Sequence, residues 1–275
     1  RAFVLGAVAN AALALITFLV ERVAGLRVPL VNEPFVDSRL SGLLIDPNAF
    51  GGLIATALVL HLVTSAAGAP LLSRRVSRLA TVCLPLALAL TFSRSAWIGT
   101  VFGLGAVAAA DPRLLRKAAR ALAAPLLVVL PLVLLNLPGA ASLAERPGQV
   151  SARLDIANQA LADVAAHPLS GIGLGVYEQR HGVIVHNTAL WFLTEMGLVG
   201  LIAFLGFILL QVRRATWMIV RGPEQAWVVG AALLGAVFVG LGLSLGIEAF
   251  YQRYWWMAFA GLAAGRALPS VRRRS

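Results

Sequence analysis

Apolar residues run along this chain in long uncharged blocks, at 2–20, 49–69, 79–93, 95–110, 121–137, 188–210, 226–247 and 250–268. About 20 apolar residues at 1.5 Å rise cross a hydrocarbon layer of about 30 Å. Lipid offers no partner for backbone amides, so helices are the favoured way across. The pattern predicts an all-α polytopic membrane helix bundle of about eight spans, a single integral membrane domain over 1–275. The blocks 79–93 and 95–110 meet at Ser93-Arg94-Ser95, which allows either a tight helical hairpin or one longer span. Two polar segments, 21–48 and 138–187, are long enough to carry function rather than simply connect spans.

In the second of these, Ser151 is placed to cap a short amphipathic helix that runs to about Ala166 and is closed by Pro168. Leu154, Ala157, Leu161 and Val164 would form its apolar stripe, lying on the bilayer surface or on the bundle. Gly171, Gly173 and Gly175 then read as a flexible loop before Tyr177, since their spacing does not fit a dinucleotide fingerprint. His186-Asn187 marks the mouth of the span at 188–210, with Asn187 as its cap. Gly197 and Gly200 are expected to give that helix a smooth face for a close neighbour. Glu195, within the span, is expected to face the bundle and find a partner there. His186 and Glu195 would point to opposite sides of a regular helix, so they are not a dyad.

Composition sharpens this picture. The 275 residues are 59% apolar and only 13% charged, against about 25% charged in soluble domains. The net charge of +11 and pI near 11.5 would suggest nucleic acid if the charges were spread evenly. They are not. Alternation of the spans, with the C-terminus inside, puts fifteen of the 23 Lys and Arg on the inner side and eight on the outer, and nine of the 12 acids on the outer. That is the positive-inside pattern. It implies attraction to anionic inner-leaflet lipid, with membrane lipid as a partner and no nucleic acid. The single cysteine, Cys83, lies inside an apolar block and excludes a disulfide framework. The chain opens on Arg1 and enters an apolar block at once, so upstream spans are expected to be missing.

The candidate chemistry sits at the outer surface. Taken singly, each residue has an ordinary explanation: Arg94 as a snorkelling side chain near Trp97, Arg153 as a solvated helix residue, His186 as a cap or packing residue, and Arg39, Asp46 and Asn48 as a turn around Pro47. Together they suit an anion. Guanidinium groups from separate segments bind phosphate oxygens bidentately and keep their charge, and a neutral histidine can accept a proton near pH 7. No Asp-x-Asp pair or HExxH pattern occurs, so a metal site has no support in the sequence.

Four stretches resemble the O-antigen ligase and O-antigen polymerase superfamily of bacterial envelope glycan enzymes. They are Arg39-Leu40-Ser41-Gly42 into Asp46-Pro47-Asn48; Ser93-Arg94-Ser95-Ala96-Trp97; Ser151-Ala152-Arg153-Leu154 through His167-Pro168 to Gly171-Ile172-Gly173; and His186-Asn187, nine residues, then Gly197-x-x-Gly200. The last is the most specific. The resemblance spans about 35–255 and implies an inverting, metal-independent, cofactor-free glycosyltransferase at the periplasmic face of the bacterial inner membrane. It would move a glycan from an undecaprenyl-diphosphate carrier to a glycan or lipid A core hydroxyl. Arg94 and Arg153 match the family's diphosphate-holding arginines and His186 its histidine near the transferring groups. Arg39, Asp46, Asn48 and Asn187 would bind substrate. Ala157 stands where many members carry a bulky aromatic.

Two other classes remain to be separated from this one, apart from the choice between ligase and exopolysaccharide polymerase. A polysaccharide or lipid transporter would use Glu195, Glu248 and the arginines along a path, and predicts interrupted helices with inverted symmetry. A non-catalytic envelope scaffold predicts that Arg94, Arg153 and His186 are dispensable.

Overall fold

The computed structural model describes residues 1–32, 39–44, 46–135 and 147–265. Parts of both long polar segments, including Arg146, and the basic tail from Arg266 onward lie outside the described residues. The described residues form ten helices and no strands. They are α1 (Ala2–Ala24), α2 (Pro47–Ala66), α3 (Arg74–Leu90), α4 (Arg94–Ala110), α5 (Pro112–Leu135), α6 (Pro147–Ala166), α7 (Val176–His181), α8 (Thr188–Arg221), α9 (Glu224–Leu243) and α10 (Arg253–Gly265).

The fold is the expected polytopic helical membrane protein. Four helices are long and apolar enough to cross a membrane, namely α1, α2, α8 and the Ala226–Leu243 part of α9. The apolar α4 is shorter, at 17 residues. Three further blocks predicted as spans fall in α3, α5 and α10. There the helix and the block do not share ends: α3 opens with Arg74 and Arg75, and α5 carries Arg113, Arg116, Lys117 and Arg120 before its apolar stretch begins. A helix can run past its apolar block because backbone hydrogen bonding does not stop where the lipid does.

The apolar α2 is buried around its circumference and forms the centre of the bundle, as a helix without a polar face must. It starts where Asp46 accepts from the amides of Asn48 and Ala49, with Pro47 in the first turn. The pair α4 and α9 packs most closely. A Cβ on Gly99 would lie 2.7 Å from the Val239 carbonyl, one on Gly103 2.8 Å from the Gly235 carbonyl, and one on Gly242 2.6 Å from the Gly99 Cα. Small residues bring backbones together where lipid supplies no hydrophobic drive between helices.

The junction at Ser93 is a break between two helices, which settles the hairpin question. Phe92 adopts φ 48°, and Ser93 caps α4 by accepting from the Ala96 amide. Two other expectations change. Ser151 does not cap the loop helix, because α6 is already helical from Pro147, a favoured first-turn residue. Gly197 does not offer a smooth helix face: with φ 66° and ψ −164° it breaks α8, a conformation open essentially to glycine alone.

That break also corrects the expected flexible glycine loop. The segment after Pro168 clasps the interrupted stretch of α8. Ile172 and Gly173 amides donate to the Thr194 and Glu195 carbonyls at 3.0 and 2.9 Å, and the Leu198 and Val199 amides donate to the Pro168 and Leu169 carbonyls at 2.9 and 3.3 Å. Backbone groups freed by the kink are thereby satisfied away from water, as burial requires. Glu195, 2% exposed, faces the bundle as expected, and its carboxylate accepts from the Gly175 amide at 2.8 Å.

Candidate functional site

Four elements meet at one cavity of about 530 Å³. Its walls include Arg94 and Ser95 at the start of α4, Arg153 and Ala157 on α6, His186 and Asn187 before α8, and Leu245 and Gly246 after α9. The structure therefore brings Arg94, Arg153, His186 and Asn187 together from three separate stretches of chain.

Each is placed by local chemistry. Arg94 occupies the first position of α4, held by the Ser93 cap. Asn187 caps α8 by accepting from the Leu190 amide at 3.0 Å, which orients the preceding His186. Beside it, the Thr188 amide donates to Ser244 O at 3.0 Å, and its hydroxyl donates to Ile247 O and accepts from the Ala249 amide. These bonds pin the wall formed by 244–249. The α6 helix is tied down by Tyr177, a fully buried side chain whose hydroxyl donates to the Ile156 carbonyl at 2.9 Å, one turn from Arg153.

Arg39, Asp46 and Asn48 do not line the cavity. They stand behind it as a network. Arg39 Nε donates to Thr91 O and its Nη2 to Asn48 Oδ1 at 3.1 Å. Ser93 Oγ donates to the same Asn48 oxygen at 2.9 Å. Asn48 Nδ2 in turn donates to Asp46 Oδ1 at 3.1 Å. The geometry ties the turn before α2 to the cap on which Arg94 sits. Trp97, weighed as a neighbour for Arg94, gives its indole N–H to Leu88 O at 3.1 Å and sets its ring against Phe92.

The electrostatics of the cavity favour an anion. Neither Arg94 nor Arg153 pairs with a carboxylate among the described residues, and no acid lines the cavity. Partial burial and the charge of Arg94 pull Arg153 below the usual arginine value. Burial, and then the charge of Arg153, hold His186 below the ordinary imidazole value, with Asp46 pulling the other way. The two leading effects favour the neutral ring. Among the described residues, no three His, Cys, Asp or Glu side chains gather to hold a metal ion.

Two contributors were not singled out from the sequence. Gly246 is one, since a Cβ there would meet Ser95 Oγ and sit 3.8 Å from Arg153 Nη1; its only trace is a small residue interrupting an apolar block. Tyr177 is the other, a polar aromatic beside the glycines of the clasp.

Fold and site define a multi-pass helical membrane protein with a cationic cleft where the ends of α4, α8 and α9 meet the side of α6. The family model described as O-Antigen ligase matches residues 79–205, just under half of the chain. The match contains Arg94, Arg153 and His186, leaves Arg39, Asp46 and Asn48 outside it, and supports the placement of the chain in the O-antigen ligase superfamily. That family is one of glycan ligase and polymerase-type enzymes. No curated protein matches the chain.

Proposed function

We propose that the chain is a glycosyltransferase that moves a glycan from an undecaprenyl-diphosphate carrier to an acceptor hydroxyl at the periplasmic face of the inner membrane. The observation that carries this reading is the meeting, in one cavity, of two guanidinium groups with no carboxylate partner among the described residues and a histidine whose surroundings favour the neutral ring. Two like charges held near each other without a carboxylate favour a multiply charged anion, and a diphosphate is one.

The transfer forms a bond from the acceptor oxygen to the anomeric carbon and breaks the bond from that carbon to the phosphate oxygen, which leaves with the electron pair. Attack from the opposite face inverts the centre. Arg94 and Arg153 stabilise the charge growing on the departing diphosphate, an effect of several kcal/mol per well-placed donor. His186 takes the acceptor's proton, and the neutral ring that its surroundings favour is the form able to do so. Asn187 holds His186 in place through the α8 cap. The guanidinium groups do the work a metal would do elsewhere, so the reaction needs none.

The carrier's tail requires only apolar surface. Ile98, Val101 and Phe102 follow Arg94 at helical spacing on α4 and are exposed. They offer a lane from the cleft along the lipid-facing side of the bundle. The transport reading finds an interrupted helix in α8, but the Thr194 and Glu195 carbonyls there are taken by the clasp and the break lies outside the cleft. Transfer therefore accounts for more of the geometry.

Arg94→Ala, Arg153→Ala and His186→Ala should each abolish transfer from a defined undecaprenyl-diphosphate donor while membrane insertion is unchanged. Normal modification of acceptor by all three variants would sink the assignment. The His186-Asn187 and Gly197-x-x-Gly200 signature favours ligase over polymerase. Offering lipid A core and a growing glycan as alternative acceptors separates the two.

A further inference from the structure

At the end of the bundle away from the cleft, a second cavity of about 470 Å³ opens between α2, α3 and α5, bordered by His61, Ser65, Thr81 and Lys117. The proposed transfer makes no use of it. Its polar groups form an incomplete set. Thr81 Oγ1 donates to Ser77 O at 2.9 Å, so its oxygen accepts from His61 Nε2 at 3.0 Å. The ring proton is thereby placed on Nε2, and Nδ1 is left as an acceptor. His61 is 1% exposed, and among the described residues neither its Nδ1 nor Ser65 Oγ has a hydrogen-bond partner. Buried polar atoms are seldom left unpaired, so two in the wall of one cavity point to something that completes them.

Charge says what kind of molecule. Lys117 Nζ donates to the Ala66 carbonyl at 3.0 Å and has two further protons to give. The two helices that wall it with α2 also carry a collar of exposed arginines, Arg74, Arg75 and Arg78 on α3 and Arg113, Arg116 and Arg120 on α5. The one acid in these two helices' approach, Asp111, accepts from the Arg113 amide at 2.8 Å. The cavity thus presents a cationic donor, a hydroxyl and a bare ring nitrogen inside a positive collar.

We propose that this cavity binds a phosphate ester bearing a free hydroxyl, of the phosphoglycerol class. The phosphate would sit on Lys117, and the hydroxyls would pair with Ser65 and donate to His61 Nδ1. A choline phosphate, with a fixed cation and no hydroxyl, cannot donate to His61 Nδ1 and brings a like charge toward Lys117. The same chemistry is available from a lipid headgroup or from soluble glycerol phosphate, and the two are separable.

The test uses the full chain in nanodiscs of phosphatidylcholine, with and without phosphatidylglycerol, with retained lipid read by native mass spectrometry. Glycerol 3-phosphate is titrated separately into the phosphatidylcholine discs and followed by thermal melting. Phosphatidylglycerol should be retained selectively. Lys117→Gln should weaken that retention about tenfold, the effect of one charge-assisted hydrogen bond. Ser65→Ala should weaken it several-fold, and Arg75→Gln on the collar less than twofold. Retention without a response to glycerol 3-phosphate assigns the lipid headgroup, and a response to both assigns the phosphoglycerol unit itself. The proposal is overturned if neither binds, or if Lys117→Gln and Ser65→Ala retain lipid like wild type while only the collar variant loses it.

Discussion

Replacing Gly197 with alanine tests whether the clasp is what holds the cleft in shape. At φ 66° and ψ −164° any side chain costs about 1–3 kcal/mol in backbone strain alone. A Cβ there would also lie 2.3 Å from the Leu169 carbonyl oxygen and 2.6 Å from the Gly171 amide nitrogen. Both neighbours are backbone, so the loop must move rather than a side chain rotate. Moving it breaks some of the four bonds between the loop and α8, each about 1 kcal/mol net. The total is at least about 3 kcal/mol. The same helix supplies the control. Gly206 lies in regular helix with open space where its Cβ would be, and alanine there should be neutral or stabilise by up to about 1 kcal/mol. Melting of both variants in detergent, followed by glycan transfer, is the assay. Gly197→Ala should melt several degrees lower and lose transfer, because the clasp lies in the chain between Arg153 and His186. Equal melting temperatures for the two variants would refute the account of the kink.

Further consequences follow from the cleft. Arg94→Lys and Arg153→Lys should each keep partial activity while the Gln variants fall by about 10²–10³ in turnover, since a point charge lacks the bidentate fork; steady-state kinetics with a lipid-diphosphate donor checks this. His186 is active when neutral and its pKa is depressed, so activity should hold below pH 6.5 and fall only as pH drops through the lowered value. Asp46 pulls that value up, so Asp46→Asn, which still caps α2, should move the acid limb of a pH–rate profile to lower pH. A shift to higher pH would contradict the assigned polarity. Tyr177→Phe should cost about 1 kcal/mol through the bond to Ile156 O and reduce transfer by loosening α6, with the loss read as a lower melting temperature and a higher KM.

Block length is a local property, so the helical membrane fold could be read along the chain. The cap at Asn187 was legible for the same reason, since it bonds to an amide three residues ahead. Arg94, Arg153 and His186 could be nominated because guanidinium and imidazole groups at an apolar chain's outer turns need an explanation. Their meeting could not be derived that way. They come from segments separated by whole helices, and whether they converge depends on how α4 and α9 pack through Gly99, Gly103 and Gly242. The glycines of the clasp carried no visible sign of their role, because residue spacing does not report φ. A run that looked like slack turned out to satisfy the broken helix. Arg39, Asp46 and Asn48 likewise gained their meaning from Ser93, 45 residues beyond Asn48, a contact that exists because packing brings the start of α2 against the start of α4.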